Sequence, residues 1–273
     1  MARTIFMNKL SKKRLYHYTS VDTLITILEK GTLRFNNLTA MDDPEEAKSQ
    51  DSYNAGRWIF TSRWTPLKDN KRMFQKYGLN GKGVCISLSE YPFYTVYGNP
   101  VQRNKLFMNS FSCVEPFEFT KGTEIYNEKY NLLFMPPKVE QITVNYTNDE
   151  KLLYPNISNP TGSGISYFDD LLGKYKDLKW SYQIEIRYHL RPTLINNMHR
   201  PKDEYDFSQM MLGIIYTKIS EDCPIQCIDI PIKIRNLEVI FGSKLDNSKK
   251  SKIKNVAKKY CPNPIFFNSK ISW

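Results

Sequence analysis

Apolar and polar positions alternate through Arg14-Leu15-Tyr16-His17-Tyr18, which is the period of a strand. The period then lengthens. Val21, Leu24, Ile25 and Leu28 recur at helical spacing, behind hydroxyls at Thr19 and Ser20 that suit a cap and an Asp22 that complements the helix dipole. Gly31 supplies a stop, and Leu33-Arg34-Phe35 begins another strand. The chain therefore opens strand, helix, strand, with His17 near the end of the first strand. Further strands are expected at 58–62, 83–89, around 106–114 and 140–146, across 225–234 with an interruption at Pro231, and at 237–242. The clearest alternation runs from 181 to 190. Tyr182, Ile184, Ile186, Tyr188 and Leu190 point one way, and Gln183, Glu185, Arg187 and His189 point the other.

Helical spacing returns twice more. Met73, Phe74 and Tyr77 share one face of a short helix that Gly78 ends, and Ile253, Val256, Ala257 and Tyr260 form the apolar side of a helix over 247–260. Residues 208–217 fit helix or strand. The stretch 147–179 is rich in Asn, Pro, Gly, Ser and Tyr and reads as a long loop, an insertion or a functional segment, with one short helix near 167–175. The segment running through Trp273 is apolar enough to pack back on the body. These elements imply an α+β protein whose single domain spans 1–273, with a loop insertion at 147–179.

Composition narrows the class. Of 273 residues 41% are hydrophobic and 14% aromatic, which is ample for a core, and 18 Tyr with 15 Phe lean toward sheet. No apolar run approaches the roughly 18 residues of a membrane helix, and Met1-Ala2-Arg3-Thr4-Ile5-Phe6-Met7 lacks the long apolar stretch of a secretory signal. The five cysteines, at 85, 113, 223, 227 and 261, form no regular framework and read as reduced thiols of a cytoplasmic protein. Cys223 and Cys227 have no second pair behind them, and with only three His in the chain no metal site is expected. The net charge is +11, with Lys244, Lys249, Lys250, Lys252, Lys254, Lys258 and Lys259 in one stretch. Such a run is either a solvated helix face or a surface for polyanions, nucleic acid included.

Four constellations could carry chemistry. His17, followed by Tyr18, Thr19 and Ser20, could hold a ribose by hydrogen bonds, or be a structural histidine bonded to a backbone carbonyl. Gln183-x-Glu185-x-Arg187 shares one strand face. A carboxylate there could oppose positive charge developing at a sugar carbon or bind a ribose hydroxyl, or the three could form a cross-strand ion pair on a solvated face. Asp42, Asp43, Glu45 and Glu46 could bind metal or transfer protons, although Pro44 among them favours helix capping. Arg63, beside Thr61 and Ser62, could clamp a pyrophosphate, with an aromatic of the 73–77 helix stacking on a flat ring; core packing is the alternative for Met73 and Phe74. There is no P-loop, no dinucleotide glycine fingerprint and no evident Ser or Cys nucleophile paired with His.

In order, these pieces resemble an uncharacterised bacterial family, domain of unknown function twenty-nine seventy-one. Its opening is matched by Leu15-Tyr16-His17-Tyr18-Thr19-Ser20, Ile27-Leu28-Glu29, Leu33-Arg34-Phe35 and Asp42-Asp43-Pro44-x-Glu46. Its Ser-bearing strand, Met-Trp-x-x-Tyr helix and Lys-Gly-x-x-Ile strand look like Phe60-Thr61-Ser62, Met73-Phe74-x-x-Tyr77 and Lys82-Gly83-x-x-Ile86. Its Trp-x-Tyr-Glu-x-Glu-x-Arg and Ile-x-x-Gly strands look like Trp180-Ser181-Tyr182-Gln183-Ile184-Glu185-Ile186-Arg187 and Val239-Ile240-Phe241-Gly242. The resemblance spans roughly residues 14–260. Phe74 stands where the family has Trp, and Gln183 where Glu is usual, which weakens the case for arginine as an acceptor.

That family looks like a distant ADP-ribosyltransferase-type fold. The resemblance implies two twisted, mainly antiparallel sheets around a cleft with peripheral helices, and NAD as co-substrate with no metal. Glu185, Gln183 and His17 would be catalytic. His17, Tyr18, Thr19, Arg34, Ser62, Arg63 and Tyr77 would contact NAD, with Ser62 and Tyr77 both candidates for the middle member of the usual triad. The acceptor would be nucleic acid or protein, in a toxin or phage-defence setting. The alternatives are a non-enzymatic nucleic-acid-binding module on the same fold, NAD hydrolysis, or RNA 2′-phosphate transfer.

Overall fold

The computed structural model describes residues 4–5, 14–98, 116–124, 126–127, 129–130, 132–134, 136–161, 164–194 and 202–273. The strand expected at 106–114 lies outside them, as does Cys113. The chain mixes α and β, with several sheets. The largest sheet has five strands in the order Glu140–Thr143, Ile186–Leu190, Phe60–Trp64, Thr32–Asn37 and Cys227–Pro231, every neighbour antiparallel. A four-stranded sheet orders Ile265–Asn268, Glu238–Phe241, Val84–Ser87 and His17–Thr19; only its first pair is parallel. The two sheets are tied where the His17 strand begins: Tyr16 N–H donates to the Thr65 carbonyl at 2.7 Å and Thr65 N–H returns to Tyr16 at 2.9 Å. This junction positions the site.

Local chemistry explains the opening. The Ser20 hydroxyl accepts from Thr23 N–H at 3.0 Å and starts the Val21–Lys30 helix. Gly31, at φ 61°, adopts the left-handed geometry that lets its N–H reach the Ile27 carbonyl and end it. Val21, Leu24, Ile25, Ile27 and Leu28 are buried, each removal from water worth about 1.5–3 kcal/mol before ordering entropy is charged against it. They enter one continuous core with Phe35, Trp58, Phe60, Ile186, Tyr188, Val239 and Ile253. The Asn247–Tyr260 helix is capped by Asp246, which accepts from Lys249 N–H at 2.8 Å, and it buries Ile253 and Ala257 as the spacing predicts. Gly242 ends the Glu238–Phe241 strand where a Cβ would lie 2.2 Å from the Gly81 carbonyl, so only glycine allows the 81–83 backbone to close on it.

Several expectations need correcting. The 181–190 segment is not one strand. Leu178–Gln183 is a 3-10 helix, started by Asp177 accepting from Lys179 N–H at 2.8 Å, and Ile184 turns the chain at φ 45°. The strand is only Ile186–Leu190, and all five residues are buried because the sheet is covered on both faces, so Arg187 and His189 do not face a solvated surface. The 147–179 stretch is not a structureless loop. It holds the strand Asn145–Thr147 at its start, a helical turn Glu150–Leu153, a hairpin of Ser158–Thr161 with Gly164–Tyr167, and the strand Tyr175–Asp177, which runs parallel to Asn145–Thr147. Its turn-rich composition marks hairpin connections. Residues 208–217 belong to the helix Glu204–Ser220. Trp58 closes a 3-10 turn, Ala55–Trp58, and the strand begins at Phe60.

No helix among the described residues is long and apolar enough to cross a membrane.

Candidate functional site

At the junction of the two large sheets lies a cavity of about 350 Å³. His17, Tyr18 and Thr19 form one wall from the edge strand, and Ser20 and Thr23 continue it from the first helix. Arg63 faces it from the central strand of the larger sheet, Tyr77 from the end of the Lys71–Lys76 helix, and Gln183 and Glu185 from the kinked segment before Ile186–Leu190. A second cavity, of about 430 Å³, shares His17, Thr23 and Asn36 with the first. Arg34 and Ser62 line this second space. The structure thus brings seven of the nine predicted site residues into one cavity and places the other two beside it.

The His17 side of the site is set by one hydrogen bond. Nδ1 lies 2.8 Å from the Arg63 carbonyl, and because a carbonyl only accepts, the ring must donate through Nδ1. Burial holds the His17 pKa below the ordinary histidine value, so the ring is neutral near pH 7. The acceptor lone pair is then on Nε2, the nitrogen left to the cavities that His17 lines. Trp64 braces the ring, with centroids 5.3 Å apart. Tyr18 contributes differently from what was expected. Its hydroxyl donates to the Leu67 carbonyl at 2.7 Å and accepts from Asn70 N–H at 2.8 Å, and its ring meets Phe74 edge-on. It is wall and core, not a polar contact.

The Glu185 side is a buried ionic lattice. Arg187 Nε donates to Glu185 Oε1 at 2.7 Å, and Lys176 Nζ lies 3.3 Å from Oε2. Arg187 also pairs with Glu46 and donates to the Gly173 carbonyl at 2.9 Å. Lys176 donates to Gln183 Oε1 at 3.0 Å and stands 3.7 Å from Asp42. Asp42 in turn holds Arg63 and accepts from the Tyr77 hydroxyl, while Gln183 Nε2 donates to the same hydroxyl. Three carboxylates and three cations balance, and Lys176 and Arg187 have no exposed surface. Burial by itself would raise the Glu185 pKa; the charges of Arg187, Lys176 and Arg63 overturn that and bring it down to about 2. The same contest leaves Asp42 well below the usual carboxylate range, held there by Arg63 and Lys176. For Glu46 burial prevails and the pKa rises.

Backbone contacts lock the kink in place. Tyr146 Oη accepts from Glu185 N–H at 2.8 Å, and Thr65 Oγ1 donates to the Gln183 carbonyl at 2.7 Å. Gln183, Glu185 and Arg187 therefore do meet, but through a 3-10 turn and a kink rather than as alternate residues of one strand.

Two predicted contacts are not poised as expected. The Arg34 guanidinium is engaged bidentately by Asp229, at 2.9 and 3.0 Å, so it is not free for a pyrophosphate. The Ser62 hydroxyl accepts from the Trp64 indole at 3.2 Å and lines the second cavity, whereas Tyr77 shares the first cavity with Glu185. The acidic cluster also departs from the capping role. Asp43 makes no side-chain cap bond to the Pro44–Ala47 turn, while Asp42 and Glu46 reach into the lattice. Lys176 was missed altogether. Nothing in Tyr175-Lys176-Asp177 distinguishes it from a surface lysine until its strand pairs with Asn145–Thr147.

No family model matches the chain, and no curated protein or solved structure matches it.

Proposed function

We propose that this is an NAD-dependent transferase of the ADP-ribosyltransferase type, with the dinucleotide lying across the two joined cavities. The observation that carries this reading is that His17 and Glu185, far apart in the chain, line one cavity, and that a second cavity shares His17, Thr23 and Asn36 with it. Together they are of a size suited to a dinucleotide rather than to a single small metabolite. The two mainly antiparallel sheets meeting at this cleft are consistent with that fold type.

NAD supplies the chemistry through its activated bond between ribose C1′ and nicotinamide. That bond breaks with its electron pair leaving on nicotinamide, and an acceptor nucleophile bonds to C1′ and gives up a proton. The chain's residues arrange this. Nε2 of neutral His17 accepts from a ribose hydroxyl, and Thr19 hydrogen-bonds beside it. Tyr77 flanks the nicotinamide ring, and Arg63, paired with Asp42, lies 5.7 Å over the Tyr77 ring and fixes that wall. Glu185 is ionised at neutral pH, but its charge is shared with Lys176 and Arg187. It therefore acts by accepting from the ribose 2′-hydroxyl and orienting the sugar, with a smaller direct field on the developing cation than an unpaired carboxylate would exert.

Calorimetric titration with NAD tests the reading. His17→Ala is expected to weaken binding by about tenfold, the worth of a hydrogen bond in a desolvated site. Nicotinamide release by the wild-type chain, lost in Glu185→Gln at a temperature where the melt of that variant shows it folded, is the expected catalytic signature. Absence of NAD binding at millimolar concentration, or affinity indifferent to residue 17, overturns it. Nicotinamide release with no acceptor labelled would redefine the reaction as hydrolysis.

A further inference from the structure

The Lys71–Lys76 helix presents two chemistries at once. Met73 and Phe74 are buried, and Met73 with the following Tyr77 lines the cavity wall. Three of the four exposed residues are cations, the fourth being Gln75, and each cation lies over an aromatic ring. Lys71 is 5.7 Å from the Trp273 centroid, Arg72 is 3.5 Å from Tyr182, and Lys76 is 5.2 Å from Trp180. Lys244 completes the row, 4.3 Å from the other approach to Trp273. Among the described residues none of these four cations forms an ion pair with a carboxylate, whereas Arg34 and Arg57 do.

The row borders the cavity at both ends. Trp273 packs on Gly81, two residues beyond Leu79 of the cavity lining. Trp180 lies between Lys76 outside and the buried Lys176, whose Nζ is 4.8 Å from the ring. The Trp180 indole N–H has no hydrogen-bond partner. The Asn247–Tyr260 helix offers lysines too, but Lys249 pairs with Asp246, and Lys250 and Lys254 lie near Phe241, which is buried. The helix's own ring is the half-buried Tyr260 beneath Lys259, and it carries no exposed ring like Trp273.

We propose that this row of cations and aromatics is a binding surface for single-stranded nucleic acid, which it leads to the mouth of the cavity. Cations spaced along a rim neutralise successive phosphates, and Trp273, the exposed ring of the row, stacks on a base, with the half-buried Tyr182 and Trp180 beneath the cations. Stacking of this kind requires unpaired bases, so a duplex is the poorer ligand. The strand's service as the acceptor rests on the NAD reading above; its binding does not.

Fluorescence anisotropy with a short labelled single-stranded oligonucleotide of mixed sequence, as DNA and as RNA, tests the surface without NAD. Four phosphate contacts predict a slope of log affinity against log salt of roughly −3. The triple variant Lys71→Glu, Arg72→Glu, Lys76→Glu is expected to weaken binding well beyond about tenfold, and its neutral counterpart with Gln at the same positions to reduce the slope by about 2. Trp273→Ala should lose about tenfold through stacking alone. Lys252→Glu with Lys258→Glu, on the lysine-rich helix, should change affinity by less than about twofold if the row is the site. All substituted side chains are exposed, and matched thermal melts confirm folding.

The proposal is overturned by absence of oligonucleotide binding at low salt, by affinity that ignores the row variants and follows the helix variants, or by duplex or anionic phospholipid vesicles competing as well as the single strand. NAD binding that persists when the surface fails leaves the transferase reading standing. Oligonucleotide binding in a chain that does not bind NAD leaves only the surface.

Discussion

The two walls of the cavity are built on opposite principles. On the His17 side, polar groups hang from one continuous stretch of chain and keep hydrogen-bonding capacity in hand: the imidazole spends Nδ1 on a carbonyl and retains Nε2. On the Glu185 side, nearly every polar atom is spent within the protein, on charges contributed by the 42–46 turn, the Tyr175–Asp177 strand and the Ile186–Leu190 strand. One wall keeps a free acceptor, and the other holds a carboxylate in a fixed place and charge state. A cavity needs both, because a rigid, pre-charged floor lets a few free groups act without rearrangement.

The comparison breaks most visibly if the lattice is disturbed. Lys176→Met removes one cation from a dry, balanced set and leaves Glu46 and Glu185 undercompensated. Urea denaturation should show a loss of about 3–5 kcal/mol, and adding Glu46→Gln should restore part of it, since Glu46 is the carboxylate that burial already disfavours. A loss below about 1 kcal/mol for Lys176→Met would mean that the lattice is wet and the two walls are alike.

The acid limb sharpens the same point. Glu185 has a folded pKa depressed from 4.5 to about 2. Its contribution to stability is therefore complete above the unfolded value and is lost as pH falls toward about 2. Glu46 works in the opposite sense, because its raised pKa makes its ionised form a liability at higher pH. Denaturation at stepped pH should show stability falling through this window, and Glu185→Gln should flatten the fall. An unchanged acid limb in that variant would remove Glu185 from the ionised network.

Smaller effects are expected on the other wall. Ser20→Ala removes the helix cap and should lower stability by about 1 kcal/mol with the ionic lattice untouched. Arg34→Ala breaks a pair whose arginine side chain is 52% exposed and should change stability by less than about 1 kcal/mol. It should leave NAD affinity unaltered, whereas a marked loss would show that the Asp229 pair opens to receive the ligand.

Legibility in the sequence follows the same division. The first strand, the helix behind it and the glycine that stops it were readable because a cap, a period and a left-handed residue act within a single turn of chain. His17 and its hydroxyl neighbours belong to that local unit, so their shared wall could be anticipated. Glu185 was placed on a strand that the chain does not form. Hydrophobic alternation from 181 to 190 cannot distinguish an extended run from a 3-10 turn followed by a kink at Ile184, because the deciding contacts come from Asp177, Thr65 and Tyr146.

What the sequence determined by itself was local: which stretches coil, which extend, where the apolar faces lie, and that His17 and Glu185 each merit attention. The tertiary structure alone decided how the charges pair. Asp42 and Glu46 could as well have been surface acids and Lys176 a solvated lysine. They differ only because strand pairing carries them out of water to within a few ångströms of one another, where the attraction between opposite charges grows as solvent screening falls away. Periodicity records which side of an element is apolar. It carries no record of which distant residue waits on that side.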